Sequence, residues 1–190
     1  MDYFNLLNPV ELIKFILNWI GRPKPEIKFE YLLLIGEKEN AYCHIRINNS
    51  FNNKESWFFR IGIKNNSGKQ LIENADVRME KIERINNGIK TIVFNTPFFL
   101  HWANDNTDGS RNIYPGTEEF LDVVFTVKDF NKFFIFYKSK HNISGIINNL
   151  PAGKYIFTVK LLGKNINPVE KRILINFNND WRNLKMSIEK

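Results

Sequence analysis

The stretch Asn148–Leu162, NNLPAGKYIFTVKLL, joins a turn to a β-strand through one tyrosine, Tyr155. Leu150 supplies an apolar side chain ahead of the turn, and Pro151 and Gly153 are residues whose backbone preferences favour turns. The residues after Tyr155 are mostly β-branched, aromatic or otherwise apolar, which is typical of a strand. The stretch therefore predicts a turn followed by a strand, with the tyrosine at the beginning of that strand.

The order of these residues resembles the tyrosine corner of immunoglobulin-like sandwiches. In such sandwiches a tyrosine near the start of the penultimate strand turns its hydroxyl back to the backbone just upstream and fixes the crossing between sheets. Here Leu150, Gly153 and Tyr155 match the corner, and one further predicted strand, EKRILINF, follows at Glu170–Phe177. Because no acid–base partner lies beside Tyr155 in the sequence, we expect a structural tyrosine rather than a catalytic one.

Apolar residues recur at every second position in much of the chain after Pro25. Phe59, Ile61 and Ile63 alternate with polar or small residues, a pattern that places one face of a strand in the core and the other in water. The pattern predicts an all-β fold of antiparallel sheets packed as a sandwich. Together with the resemblance at Tyr155, it leads us to expect an immunoglobulin-like antiparallel β-sandwich, preceded by one short amphipathic α-helix. The predicted strands are Ile27–Leu34, Tyr42–Asn48, Trp57–Lys64, Ala75–Ile85, Thr91–Phe94, Phe120–Val127, Phe133–Lys138, Tyr155–Leu162 and Lys171–Phe177.

Two longer segments extend this resemblance. Phe59–Glu83 resembles the strand–turn–strand of prokaryotic immunoglobulin-like domains of the CARDB type, and the matching residues are Ile63, Asn65, Gly68, Ala75, Val77 and Met79. Phe99–Phe125 is similar to prokaryotic immunoglobulin-like domains of unknown function. The resemblance covers roughly Pro23 to Phe177. It implies a β-sandwich that follows an apolar N-terminal helix, and by analogy alone it implies no particular activity.

The segment Asn8–Ile20 has the signals that begin a helix. Asn8 is a capping residue, Pro9 suits the first helical position, and Glu11 lies in the first turn. We expect the helix to end at Gly21.

The surface of this helix is mostly apolar, because its polar residues Glu11, Lys14 and Asn18 form one narrow stripe. The apolar residues are Val10, Leu12, Ile13, Phe15, Ile16, Leu17, Trp19 and Ile20. Such a surface must be covered, so we predict an anchoring helix that binds a protein partner, a second copy of the chain or a membrane surface. The run is too short to span a bilayer, which takes about 20 residues, and it lacks the cleavage site of a signal peptide.

The chain divides into three predicted parts, a helix at residues 1–21, a connector at 22–26 and the sandwich at 27–190. The connector contains Pro23 and Pro25, each of which fixes its own φ and disfavours a helix at the residue before it. A short, stiff connector limits how far the helix can fold back over the sheets. This limit favours an intermolecular role for the helix.

Length and composition exclude several classes of protein. The 190 residues suit one domain with a full core. The single cysteine, Cys43, excludes an internal disulfide and a cysteine-based zinc site built from this chain alone. The formal net charge is +7, but the lysines are dispersed among acidic residues. Since nucleic-acid binding relies on clustered cations, we do not expect nucleic acid as a partner.

Asn104–Gly109, NDNTDG, has oxygen-bearing side chains at alternate positions before a glycine, as a calcium loop has. Its first position is Asn104 instead of Asp, and Pro115 stands where the bidentate Glu belongs. We therefore predict a solvated loop without a metal, since Asn, Asp and Gly are also common turn residues.

The histidines lack the local spacing of a zinc motif; they are His44, His101 and His141. Cys43 and His44 are neighbours on one predicted strand, so they face opposite sides and do not suit a catalytic dyad. We predict no metal, no cofactor and no catalytic residue. A pocket that brings together two or more of His44, His101, Asp105 and Asp108 would instead indicate catalysis.

Two aromatic features allow alternative interpretations. Trp57 and Trp102 can serve as stacking platforms for a sugar, but sandwiches commonly bury tryptophan between their sheets, so we expect core residues. Lys128–Lys140, KDFNKFFIFYKSK, interleaves lysines with aromatics and suits nucleic acid or acidic lipid. We favour an edge strand whose lysines block association between sheets.

These patterns favour a non-catalytic immunoglobulin-like interaction module, anchored to a partner or a membrane surface by its N-terminal helix. The alternative is a carbohydrate-binding or substrate-positioning accessory module, and an enzyme comes third. The three hypotheses differ in what the fold must present: an exposed apolar helix, coplanar exposed aromatics on one sheet face, or a pocket with converging acid–base groups.

Overall fold

The computed structural model describes residues 8–21, 23, 25–28, 43–48, 52–103, 109–138 and 144–189. In these ranges the chain forms one α-helix and thirteen β-strands. They are α1 (Pro9–Gly21), β1 (Pro25–Lys28), β2 (Cys43–Asn48), β3 (Lys54–Asn65), β4 (Ile72–Asn86), β5 (Ile89–Phe94), β6 (Phe98–Trp102), β7 (Arg111–Ile113), β8 (Glu118–Val127), β9 (Lys132–Lys138), β10 (Ser144–Pro151), β11 (Gly153–Leu162), β12 (Val169–Phe177) and β13 (Leu184–Ile188).

Helix α1 begins as its sequence predicts. The side-chain oxygen of Asn8 accepts a hydrogen bond of 3.0 Å from the backbone N–H of Val10. The Asn8 carbonyl accepts the first helical hydrogen bond from Leu12, also at 3.0 Å. The bond from Val10 satisfies a backbone donor of the first turn that has no partner inside the helix, and the bond from Leu12 opens the regular helical series.

The strands pair antiparallel and form two layers. The hydrogen-bonded order is β1–β3–β8–β9–β6–β4–β11–β12–β13, with β2 beside β3, β10 beside β9, and β5 and β7 beside β4. Strand β6 pairs with β8 and β9 on one side and with β4 on the other. We call β1, β2, β3, β8, β9 and β10 the first layer, and β4, β5, β11, β12 and β13 the second layer. The prediction of an all-β sandwich with one short helix is confirmed.

The core lies between the two layers and is centred on Phe133 of β9. Its ring lies 5.2 Å from the ring of Tyr155, 6.3 Å from that of Phe157 and 5.7 Å from that of Phe177. These partners belong to β11 and β12, which are not hydrogen-bonded to β9. The contacts are therefore made across the layers, in the way that the inner faces of a sandwich interdigitate.

Both faces of β3 are buried, so the expectation that one face is wet is wrong for this strand. Ile61 and Ile63 lie in the core as predicted. The opposite face carries Phe58, which is 0% exposed, and Arg60, which is 6% exposed. Phe58 belongs to a second apolar cluster, and Arg60 is neutralised by an ion pair, so neither side chain needs water.

Four strands were not expected from the sequence, namely β6, β7, β10 and β13. Because β13 follows β12, two strands come after β11 instead of the one predicted for a tyrosine corner. Strand β1 begins at Pro25, inside the predicted connector 22–26, and proline is tolerated there because it is the first residue of the strand. The rest of the strand predicted at Ile27–Leu34 lies outside the described residues.

The prediction of an edge strand within Lys128–Lys140 is wrong. Strand β9 pairs with β10 on one side and with β8 and β6 on the other. Its lysines are Lys132 and Lys138, the first and last residues of the strand. Lys132, at one end of the strand, is partly exposed although the strand itself is central.

Candidate functional site

The apolar surface of α1 is exposed. The side chains with known exposure are Val10 (54%), Leu12 (43%), Ile13 (56%), Ile16 (43%), Leu17 (62%) and Ile20 (62%). The predicted anchor residues Phe15 and Trp19 lie in α1, but their side chains are outside the described part. An apolar set this exposed on one helix is the main candidate interaction surface in the described part of the chain.

The polar stripe of α1 is held by one ion pair. Lys14 lies 3.4 Å from the carboxylate of Glu11, and both side chains are more than half exposed. The pair leaves the stripe with no net charge, so the apolar residues dominate what the helix presents. Among the described residues, no helix is both long and apolar enough to cross a membrane.

Tyr155 occupies a corner between the layers. Its hydroxyl donates a hydrogen bond of 2.8 Å to the carbonyl oxygen of Pro151, four residues upstream. The side chain is 1% exposed, and the neighbouring Leu150 is 5% exposed. Gly153 has a φ of 155°, and a Cβ at this position would lie 3.2 Å from Arg84.

Burial raises the pKa of the Tyr155 phenol above its ordinary value of 10.0, and the charge of Arg84 partly opposes this rise. The guanidinium of Arg84 lies 5.8 Å from the centre of the tyrosine ring and donates a hydrogen bond of 3.0 Å to the carbonyl of Ala152. The phenol therefore stays neutral and acts as a donor to the backbone. This hydrogen bond to the backbone pins the turn to the start of β11.

A row of three polar residues crosses the outer face of the sheet at β3, β8 and β6. Arg60 of β3 pairs in register with Asp122 of β8, and Asp122 pairs in register with His101 of β6. The Nε of Arg60 donates to Asp122 at 2.8 Å, and the two side chains are 7% and 6% exposed. Residues directly opposite on antiparallel strands share a face. His101 therefore lies on the same face as this buried ion pair, opposite Asp122.

Of the four residues whose convergence would indicate catalysis, this polar row contains His101 alone. The candidates Asp105, Asp108 and His141 lie outside the described residues, as does Asn104–Asp108 of the predicted loop. His44 lies in β2, opposite Phe58, and is separated from His101 by β3 and β8. Within the described ranges, no group of three or more His, Cys, Asp or Glu side chains is arranged to hold a metal ion.

The aromatic side chains of the sandwich are buried. Trp57 and Trp102 are 5% and 4% exposed and belong to the core, as predicted. Phe58, Phe125 and Phe134 form a stacked ladder on the outer face of the first layer, with ring centres 5.0 and 5.2 Å apart. They are at most 1% exposed. A sugar-binding platform needs accessible rings, and neither set supplies one.

The hairpin of β4 and β5 is a surface that was not predicted. Asn87 and Gly88 form a two-residue turn with φ of 48° and 80°, the conformation that suits an Asn–Gly hairpin. Ile89, Ile92 and Val93 follow the turn with exposures of 69%, 55% and 44%. Both strands were predicted from the sequence, and the Asn87–Gly88 pair between them is the signal that could have identified the tight turn.

Comparison with protein-family models, with curated proteins and with solved structures finds no match for this chain.

Proposed function

We propose that this protein is a non-catalytic, immunoglobulin-like interaction module that is anchored by α1 to a membrane surface or a protein partner. The observation that carries the proposal is the exposure of Leu17 and Ile20, each 62% accessible on a helix that is apolar around most of its circumference. A soluble surface rarely presents such a set unless a second surface covers it.

The width of the apolar surface supports an anchor rather than a packing face for the helix's own sandwich. At 100° per residue, the apolar positions of α1 span roughly 220° of its circumference. A helix that packs on one neighbour buries an apolar stripe of roughly 100°. The wider surface of α1 suits an environment that surrounds the helix, such as the boundary of a bilayer or several partner helices.

The test uses the full chain and places charges on the apolar surface of α1. In the variant Leu17→Glu/Ile20→Glu, both changes occur at exposed positions, so the sandwich stays folded. We expect association of the wild type with phospholipid vesicles or with itself, measured by vesicle co-sedimentation and analytical ultracentrifugation. The variant should weaken that association by at least about tenfold, because it places charges where two aliphatic side chains would be buried in the associated state.

Lys14→Glu is the matched control, because it changes the net charge by the same amount on the polar stripe of the same helix. This control should associate as the wild type does. Loss of association in both variants would indicate a general charge effect and contradict an apolar anchor. A wild-type chain that stays monomeric and does not bind vesicles would contradict anchoring to a membrane and anchoring by self-association.

The alternative of a carbohydrate-binding or substrate-positioning module has no comparable support. The residues expected to form its platform, Trp57 and Trp102, are buried. Tyr114, which is 60% exposed, is the sole aromatic residue among the strongly exposed hydrophobic side chains of the described part. A single tyrosine provides little stacking surface for a sugar ring.

A further inference from the structure

One end of the second layer carries a row of lysines. Lys90 of β5 pairs in register with Ile85 of β4, which pairs with Lys154 of β11. Lys154 pairs in turn with Asn176 of β12, which pairs with Lys185 of β13. Residues that pair across antiparallel strands share a face, so the lysine row, Lys90, Lys154 and Lys185, lies on the outer face. Alternate strands place its members about 10 Å apart.

The lysine row is exposed and largely free of acidic partners. All three lysines are exposed. Lys90 lies 3.4 Å from the carboxylate of Glu189. Lys154 and Lys185 form no ion pair with any residue in the described part of the chain. The row is therefore a concentrated positive edge on a sheet whose other charges are mostly paired.

The hairpin patch, Ile89, Ile92 and Val93, adjoins this row. Ile92 lies two residues from Lys90 and so shares its face. Ile89 follows the Asn87–Gly88 turn directly, at the tip of the hairpin, and lies on the face of β5 opposite to Lys90. The residues from Asn86 to Val93 are all exposed, which shows that the hairpin projects from the sandwich. The fold thus places an aliphatic tip beside a line of cations.

We propose that this end of the second layer docks on an anionic lipid bilayer. The hairpin patch enters the boundary between headgroups and acyl chains, and the lysine row contacts lipid phosphates. Charge complementarity identifies the occupant, because an anionic leaflet attracts lysines held near its surface and an aliphatic tip gains by leaving water. The inference does not require α1, and it adds a second contact on the sandwich itself.

Two other occupants fit the surface less well. Single-stranded nucleic acid is bound through exposed aromatic rings and arginine, whereas the hairpin patch is aliphatic and the row consists of lysines. A second copy that pairs along β5 would gain the hydrogen bonds of one six-residue edge strand, a small contact compared with the roughly 800 Å² per partner of a stable interface. The bilayer uses both the cations and the apolar tip.

The experiment measures co-sedimentation of the full chain with phosphatidylcholine vesicles, with and without phosphatidylserine. Lys154→Gln/Lys185→Gln should weaken binding to the phosphatidylserine vesicles by about 5-fold per lysine, or about 25-fold together. Ile89→Ser/Ile92→Ser should weaken it by at least about tenfold, because both aliphatic side chains lose their apolar environment. All of the changed side chains are exposed, so the melting temperature should stay close to that of the wild type.

The matched control is Lys69→Gln/Lys164→Gln. It removes the same charge from exposed lysines that precede β4 and follow β11, at the opposite end of these strands. It should bind phosphatidylserine vesicles as the wild type does. If the control and the lysine-row variant lose binding equally, the effect comes from net charge alone and the proposal is overturned.

The same measurement on the Leu17→Glu/Ile20→Glu background separates this site from the helix anchor. If both sites act, the lysine-row change weakens the remaining binding by the same factor on that background. If the helix change abolishes binding and the lysine-row change has no effect in the otherwise wild-type chain, the helix anchor is supported and the hairpin site is contradicted. A dimer that the Ile89→Ser/Ile92→Ser variant no longer forms would also overturn the bilayer assignment. So would binding to single-stranded DNA by a chain that does not bind vesicles.

Discussion

Helix α1 and strand β11 are both rich in aliphatic and aromatic residues, but their exposures are opposite. In β11, the side chains of Ile156, Phe157 and Val159 are 0% exposed. In α1, those of Leu17 and Ile20 are 62% exposed. Apolar composition by itself therefore does not determine which segment of this chain is buried.

The difference comes from the neighbours of each element. Strand β11 is hydrogen-bonded to β4 on one side and β12 on the other, and the first layer covers its inner face through Phe133. A helix satisfies its backbone hydrogen bonds internally, so α1 can form without any sheet beside it. An exposed apolar helix is therefore compatible with a folded sandwich, whereas an exposed β11 is not.

The largest expected effect comes from the buried side of this comparison. Phe157→Ala removes a ring that is 0% exposed and whose centre lies 6.3 Å from the centre of the Phe133 ring. The cavity and the lost burial should lower the free energy of unfolding by about 3–5 kcal/mol. Urea denaturation followed by circular dichroism measures the change. A loss below about 1 kcal/mol would mean that the two layers do not close over β11.

Arg60→Ala should have the next largest effect, because it leaves the carboxylate of Asp122 buried without the guanidinium that lies 2.8 Å away. Removal of one partner from a buried ion pair typically costs about 3–5 kcal/mol, and we expect the lower end of that range. Exchange of both residues for apolar ones should recover much of the stability. Lys14→Ala breaks the exposed pair in α1 and should cost at most about 0.5 kcal/mol. If Arg60→Ala and Lys14→Ala lowered the free energy of unfolding equally, the burial of the Arg60–Asp122 pair would be contradicted.

Tyr155→Phe tests the corner with a smaller change. It removes the 2.8 Å hydrogen bond to the carbonyl of Pro151 while keeping the ring in the core. The expected loss is about 1 kcal/mol, the typical net contribution of such a bond. Thermal and urea unfolding at neutral pH provide the measurement. An unchanged stability would contradict a stabilising role for the hydrogen bond between Tyr155 and Pro151.

The same substitution also changes the dependence of stability on pH. Because the pKa of Tyr155 is raised in the folded state, its neutral form contributes stability that is fully present below the ordinary value of 10.0. This contribution is lost as the pH rises through the raised pKa. Above pH 10.0 the unfolding free energy of the wild type should therefore fall more steeply than that of Tyr155→Phe. Parallel curves for the two proteins would contradict the raised pKa.

The smallest effect is expected on the exposed side. Leu17→Ala removes aliphatic surface that is 62% exposed in the folded chain. Because alanine also favours a helix, the free energy of unfolding should change by less than about 0.5 kcal/mol. A destabilisation of about 2 kcal/mol or more would show that α1 packs on the sandwich and would contradict the comparison with β11.

The sequence was sufficient to predict those elements that depend on neighbouring residues alone. Asn8 and Pro9 indicate the start of α1, because capping depends on the first turn alone. The alternation of Ile61 and Ile63 indicates a strand for the same reason, and the order of Pro151, Gly153 and Tyr155 indicates the turn in which the tyrosine bonds the upstream carbonyl. Short strands such as β6 and β7 were not predicted, since three to five residues carry too little periodicity to be recognised.

By itself, the sequence determined that the chain is all-β with one apolar helix, since periodicity and capping are properties of neighbouring residues. Only the tertiary structure decided which surfaces meet. It aligns Arg60, Asp122 and His101 across three strands, buries the outer face of β3, and places Lys90, Lys154 and Lys185 in one row. These residues are far apart in the chain, and a shift of one residue in register would turn each side chain to the other face. Register is set by the packing of the whole sandwich, so no local pattern contains it.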